Sequence, residues 1–165
     1  PWMIRVVGYS PEESAKGLFI IYFCMLISFL IWGYFVPKFS KNVNDAVNIL
    51  KYGAPLNLTI LAIIIYLGPQ AGAIHLAIFI VSSIFLSLTQ PAVGMAFSLS
   101  NAGKALTSFN LLIFIGAFSL QWIIGLIIDL GIGLNFSEIN SFKFAMIFVL
   151  LTSLSSYFYF LVKNK

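Results

Sequence analysis

Apolar residues run in five long blocks along this chain, at 17–36, 56–67, 73–97, 106–128 and 142–162, and polar residues collect in the short gaps between them. A helix rises about 1.5 Å per residue, so roughly 20 apolar residues cover the hydrocarbon of a bilayer. Each block with its flanks therefore predicts one membrane span, at about 11–36, 54–68, 72–98, 105–129 and 141–162. The second block is short. Either its span begins near Ile49, with Pro55 as a kink, or the bilayer thins around it.

Local signals set the boundaries. Ser10, Pro11, Glu12 and Glu13 predict a helix start, with serine as N-cap, proline at the first helical position and glutamate three residues after the cap. Two carboxylates there also suit the positive end of the helix dipole. Pro37 predicts the end of that helix. Residues 38–52 carry Lys38, Lys41, Asp45 and Lys51 and read as a loop with an amphipathic turn or two around 46–50. "GPQAG", 68–72, reads as a tight turn. Pro91 and Gly94 predict a break near one end of the third span, tolerated where neighbouring helices or water satisfy the released carbonyls.

Composition agrees with the pattern: 61% of the 165 residues are hydrophobic and 8% charged, against about a quarter charged in ordinary soluble domains. The expected fold is all-α, a polytopic membrane protein with five transmembrane helices and no room for a separate soluble domain. The net charge of +4 comes from lysines in loops and tail, which points to orientation rather than to nucleic acid as a partner. Lys38, Lys41, Lys51, Lys104, Lys163 and Lys165 fall on one side of the predicted topology, and Arg5, Lys16 and Lys143 on the other. The positive-inside rule then places the C-terminus in the cytoplasm and the N-terminus outside. An odd number of spans behind an exported start without a signal pattern leads us to expect earlier helices, so that the chain is part of a longer protein. Cys24 lies alone in an apolar run and is expected to pack rather than react.

Polar side chains inside the spans are the candidates for function. At 100° per residue Asn110, Ala117, Gln121 and Gly125 form a small, polar stripe on the fourth span, opposite Phe114, Phe118, Ile124 and Ile128. The stripe is expected to face protein and the bulky side lipid. Gln121 then either bonds across a helix interface or faces a water-filled path. On the third span Ser83, Ser87, Gln90 and Gly94 share a face by the same geometry, although a membrane serine can simply bond its own backbone. Gln90 directly precedes Pro91, a place where an amide meets released backbone groups or a ligand. His75 and Asp129 lie near span ends and read as interfacial, and no carboxylate falls at mid-membrane depth, where proton-coupled transporters usually keep one. HExxH, GxSxG, glycine-rich phosphate loops and cysteine pairs do not occur in the sequence. Neither catalysis nor a metal or other cofactor is therefore expected.

The segment "QPAVGMAFSLSNAGKALTSFNLLIFIGAFSLQWIIGLIID", 90–129, resembles the tenth-to-eleventh helix region of bacterial major facilitator superfamily transporters. The likeness rests on Gln90–Pro91, on Gly103 and Lys104 ahead of the helix, on Asn110 in its first turns, and on Gly116, Gln121, Trp122 and Gly125. "PWMIRVVGYSPEESAKGL" is similar to the outer loop leading into the family's eighth helix. Gly33, Pro37, Lys38 and Lys41 resemble its glycine and basic loop signature without the acidic residue. The resemblance implies helices eight to twelve of a twelve-helix transporter of the bacterial inner membrane, the partial C-terminal half of a fold in which two halves rock around a midplane site. The third span would line the cavity and the fourth flank it, with the second and fifth as outer supports. Ser83, Ser87 and Gln90 would contact a small-molecule solute. Asn110 and Gln121 would hold the mobile half together or reach the cavity rim. Pro91, Gly94, Gly116 and Gly125 would serve packing or hinge motion. The implied partners are the bilayer, the solute with protons or another coupled ion, and the N-terminal half of the same transporter. The alternative from a different class is a small accessory protein whose stripes dock on a partner complex.

Overall fold

The computed structural model of the chain describes residues 1–40 and 42–164. Lys41 and Lys165, both counted above for orientation, lie outside the described residues, as does the side chain of Pro37. Among the described residues the chain is helical throughout, and five helical stretches are long and apolar enough to cross a bilayer. It is an integral membrane protein.

A single turn, α1 (Trp2–Arg5), precedes α2 (Pro11–Phe39). The start of α2 is the expected capping box: Glu13 N donates to Ser10 Oγ at 3.2 Å, and Ser10 N donates to Glu13 Oε2 at 2.8 Å. Pro37 does not end the helix. Ser40 N still reaches Val36 O at 2.8 Å, so the last turn closes past the proline.

The expected loop at 38–52 is mostly helix, because α3 (Val43–Leu67) begins at Asn42, whose Oδ1 accepts from Asp45 N at 2.9 Å. The second span is thus 25 residues long and runs through Pro55. Proline at 55 cannot bond the carbonyl four residues back. That carbonyl, Lys51 O, instead accepts from the Tyr157 hydroxyl at 2.8 Å. Gly68 stops α3 with φ +56°, and a side chain there would also run into Lys143. A 3-10 turn, Gly68–Gln70, makes the predicted tight corner.

The third span is discontinuous. It consists of α4 (Ala73–Ser82), a 3-10 stretch Ile84–Leu88, and α5 (Thr89–Ala96). The break therefore lies upstream of Pro91, not at it. Restarting the α-helix at Thr89 puts the proline in a first turn, where no N–H is required of it. Next, α6 (Leu99–Gly133) is 35 residues, about 52 Å long. It outruns the expected 105–129 at both ends because hydropathy marks the hydrocarbon layer and not the helix. Finally α7 (Glu138–Lys163) starts at Ser137, whose Oγ accepts from Asn140 N at 3.3 Å.

Side by side, α2 packs on α4, α5 on α6, α6 on α7 and α7 on α3, which returns to both halves of the third span. Two clusters of buried residues sit at one end, while Ala46, Phe85 and Leu88 are buried elsewhere. Trp2, Val6, Ile64 and Ala71 form one cluster, and Met3, Ile21, Ala73 and Ala77 another.

Candidate functional site

The break in the third span lies ten residues into the helix, about 15 Å from its start and hence near the middle of a 30 Å bilayer. Its polar groups are satisfied locally. Ser83 N donates to Phe79 O and Ile80 O, each at 3.1 Å. Ser82 Oγ donates to Phe79 O at 2.8 Å and Ser83 Oγ to Ile80 O at 2.7 Å. From α3, Asn57 Nδ2 donates to Phe79 O at 3.1 Å and to Ser82 Oγ at 2.8 Å. A helix end inside hydrocarbon is thereby closed by an amide from its neighbour.

Clefts surround the 3-10 stretch. One of about 520 Å³ lies between α2 and α3, lined by Trp32, Tyr52 and Phe85. Another, of about 500 Å³, lies between α3, α6 and α7. A smaller one of about 220 Å³ faces α2. Gly53 makes room for Phe85, whose ring a Cβ at that glycine would strike.

The predicted serine–glutamine stripe is divided by this break. Ser83 and Ser87 line the small cleft with Met25 and Phe29 of α2. Gln90 turns instead to α6, its Nε2 donating to Asn110 Oδ1 at 3.1 Å. Gly94 also looks toward α6, with Leu106 in ordinary contact distance. A 3-10 turn advances about 120° per residue and an α-turn about 100°, so a line drawn at 100° loses its face within five residues. The structure thus joins Gln90 and Asn110 and separates them from the two serines.

On α6 the predicted sides are partly exchanged. Phe114 and Phe118 are exposed, as expected for a lipid face. Ile124 and Ile128 are half-buried, and so belong to the packed side together with the buried Gly131. The close approach occurs at Gly131, where an added Cβ would strike Ser141 of α7. Gly116 and Gly125 have open space where a side chain would go, and Ala117 and Gln121 are exposed. The small residue that admits α7 is thus α6's own Gly131, ten residues beyond Gln121 and outside the predicted stripe. Within this chain the stripe is covered at Asn110 by Gln90 of α5 and uncovered at Ala117 and Gln121.

Several contributors were missed. Asn57, two residues after Pro55, could have been found by the rule applied to Gln90, an amide near a helix-breaking residue, whereas Tyr157 has no breaker near it in sequence and meets the carbonyl released by Pro55 only through the fold. Trp2 Nε1 donates to Ala71 O at 3.1 Å in a buried bond across 69 positions, for which no local pattern exists. Gly17, Gly72 and Gly131 admit Ala73, Tyr9 and Ser141 respectively.

Charge divides as the helices do. Arg5 pairs with Glu138 at 3.3 Å and Lys16 with Glu12 at 2.7 Å, at the end shared by α1 and the corner at 68–72. Lys38 lies 3.9 Å above the centre of the Tyr34 ring at the opposite end. No three His, Cys, Asp or Glu side chains gather as metal ligands among the described residues. No known protein family, curated protein or solved structure matches the chain.

Proposed function

We infer that the chain is part of a secondary active transporter that moves a small solute across a membrane by alternating access. The observation that carries this reading is the helix break near mid-bilayer, with clefts around it and both buried clusters at one end of the bundle. Transporters commonly place substrate near the midplane on discontinuous helices, because ordinary membrane helices have no backbone groups left to offer. In this reading the exposed faces of α2 and α6, which flank the third span, receive the remaining helices of the transporter, and Gln121 faces that junction. The lysine-rich end lies in the cytoplasm and the N-terminal end outside, by the positive-inside rule, in a bacterial inner membrane.

The test is solute flux in proteoliposomes made from the complete reading frame that encodes these 165 residues. Gradient-driven accumulation of one member of a small-solute panel supports the reading. Absence of flux, together with copurification of a partner at fixed stoichiometry, replaces it with the accessory-protein alternative.

A further inference from the structure

Asn57 takes part in two structures at once. Its Nδ2 closes the end of α4 through Phe79 O and Ser82 Oγ, and the same residue lines the cleft of about 500 Å³ between α3, α6 and α7. Across the cleft, α7 presents Thr152, Ser153, Ser156 and Tyr157. Thr152 and Tyr157 donate their hydroxyl hydrogens to backbone carbonyls, and a hydroxyl that donates retains acceptor lone pairs. Apart from Thr89, whose hydroxyl donates to Leu86 O, the rest of the wall is apolar, with Phe85 and Leu120 among its members. Among the described residues, no lysine, arginine, aspartate, glutamate or histidine belongs to the lining.

A charged molecule would find no counter-ion in such a cleft, and burying an unpaired charge is expensive. The volume lies within the usual range for small-molecule sites, and the mix of apolar wall and a few convergent polar groups is the usual lining of one. We propose that this cleft binds an uncharged small molecule with an apolar body and an amide or hydroxyl group, and that Asn57 is the residue that recognises it. The proposal rests on the transporter reading above and names the solute class for it. It also couples recognition to shape. An amide has two donor hydrogens, and both are engaged at the break. Donating to a solute takes one of them from Phe79 O or Ser82 Oγ, so an occupied cleft loosens the join between α4 and the 3-10 stretch.

The test uses the chain in lipid nanodiscs with Cys24→Ser, which removes its one cysteine, and Ser156→Cys as a reporter inside the cleft. The probes are benzanilide, an uncharged amide between two rings, and its 4-carboxylate as the charged counterpart. At about nine times its dissociation constant benzanilide leaves about a tenth of sites empty, so maleimide labelling at 156 slows about tenfold. The carboxylate leaves the rate unchanged, and Asn57→Leu abolishes the protection. Should Asn57→Leu fail to fold, Asn57→Ser, which keeps a short hydroxyl in place of the amide, must weaken protection instead. Spin labels replacing the exposed Ile78 and Phe97, one on each side of the break, should show a shifted or broadened distance when benzanilide is added. Equal protection by the carboxylate, no protection by benzanilide, or protection that survives both Asn57 variants overturns the site. An unchanged spin-label distance in the protected protein overturns the coupling. Protection without flux in the complete reading frame refutes transport and leaves the cleft. Flux without protection does the reverse.

Discussion

The two ends of the bundle are built differently. At the N-terminal end α1, the start of α2, the corner at 68–72 and the turn between α6 and α7 interlock. Trp2, Val6, Ile64, Ala71 and Ser141 are buried there, Trp2 hydrogen-bonds across to Ala71, and Arg5 reaches Glu138. At the lysine-rich end no residue of α5 is buried, Leu99 is 99% exposed, and a cleft of about 520 Å³ opens between α5 and α6 beside Lys104. Hydropathy does not explain the difference. The most apolar span, α6, has none of its most apolar stretch buried. In lipid, apolar surface gains little by meeting other apolar surface, so close packing comes from small residues, fitted side chains and hydrogen bonds. The knit end has these and the other end has few.

Thermal unfolding in nanodiscs can break or sharpen that contrast. Trp2→Ala removes a large buried side chain and the bond to Ala71, and should cost about 3–5 kcal/mol, the largest loss among these variants. Gly131→Val forces a side chain onto Ser141 and should cost about 1–3 kcal/mol, whereas Gly116→Val, with open space around it, should leave the midpoint nearly unchanged. Tyr157→Phe leaves Lys51 O, released by Pro55, without its donor, at about 1–2 kcal/mol. At the open end the Gln90–Asn110 bond is exposed. A double-mutant cycle with Gln90→Leu and Asn110→Leu should give about 0.6 kcal/mol of coupling. Gln121→Leu should be silent for stability of this chain and reduce assembly or solute affinity in the complete reading frame. A Gly116→Val effect as large as that of Gly131→Val would remove the distinction between the packed end of α6 and its uncovered middle.

Much of the architecture was readable because it rests on local chemistry. The five spans followed from apolar run length, and the capping box at Ser10 from residues within one turn of each other. Of the two readings of the second span, the one with Pro55 inside the helix fits, but the start lies at Val43 and not near Ile49. Its first three turns carry Asn44, Asp45, Asn48 and Lys51, and polarity there reports the membrane surface, not the absence of helix. The break was placed too late because Pro91 is the visible breaker, while the helix accommodates it by restarting upstream. The Gln90–Asn110 contact joins two candidates chosen separately. Their partnership was not legible, since the 3-10 stretch that turns Gln90 toward α6 depends on Asn57 from another helix. Which face of α6 packs was equally hidden, because the glycine that decides it, Gly131, looks like Gly116 and Gly125 in sequence and differs only in meeting Ser141 of α7.

Amide hydrogen exchange of the chain in nanodiscs, resolved to short peptides, bears most directly on the difference between the ends and on the weak point between them. Peptides covering 60–82 should remain protected, while those covering 84–96 exchange markedly faster, because 3-10 geometry, adjoining clefts and an α5 with no buried residue lower the cost of local opening despite the buried Phe85 and Leu88. Equal, slow exchange across both stretches would mean a continuous, uniformly packed third span and would contradict the broken-helix site.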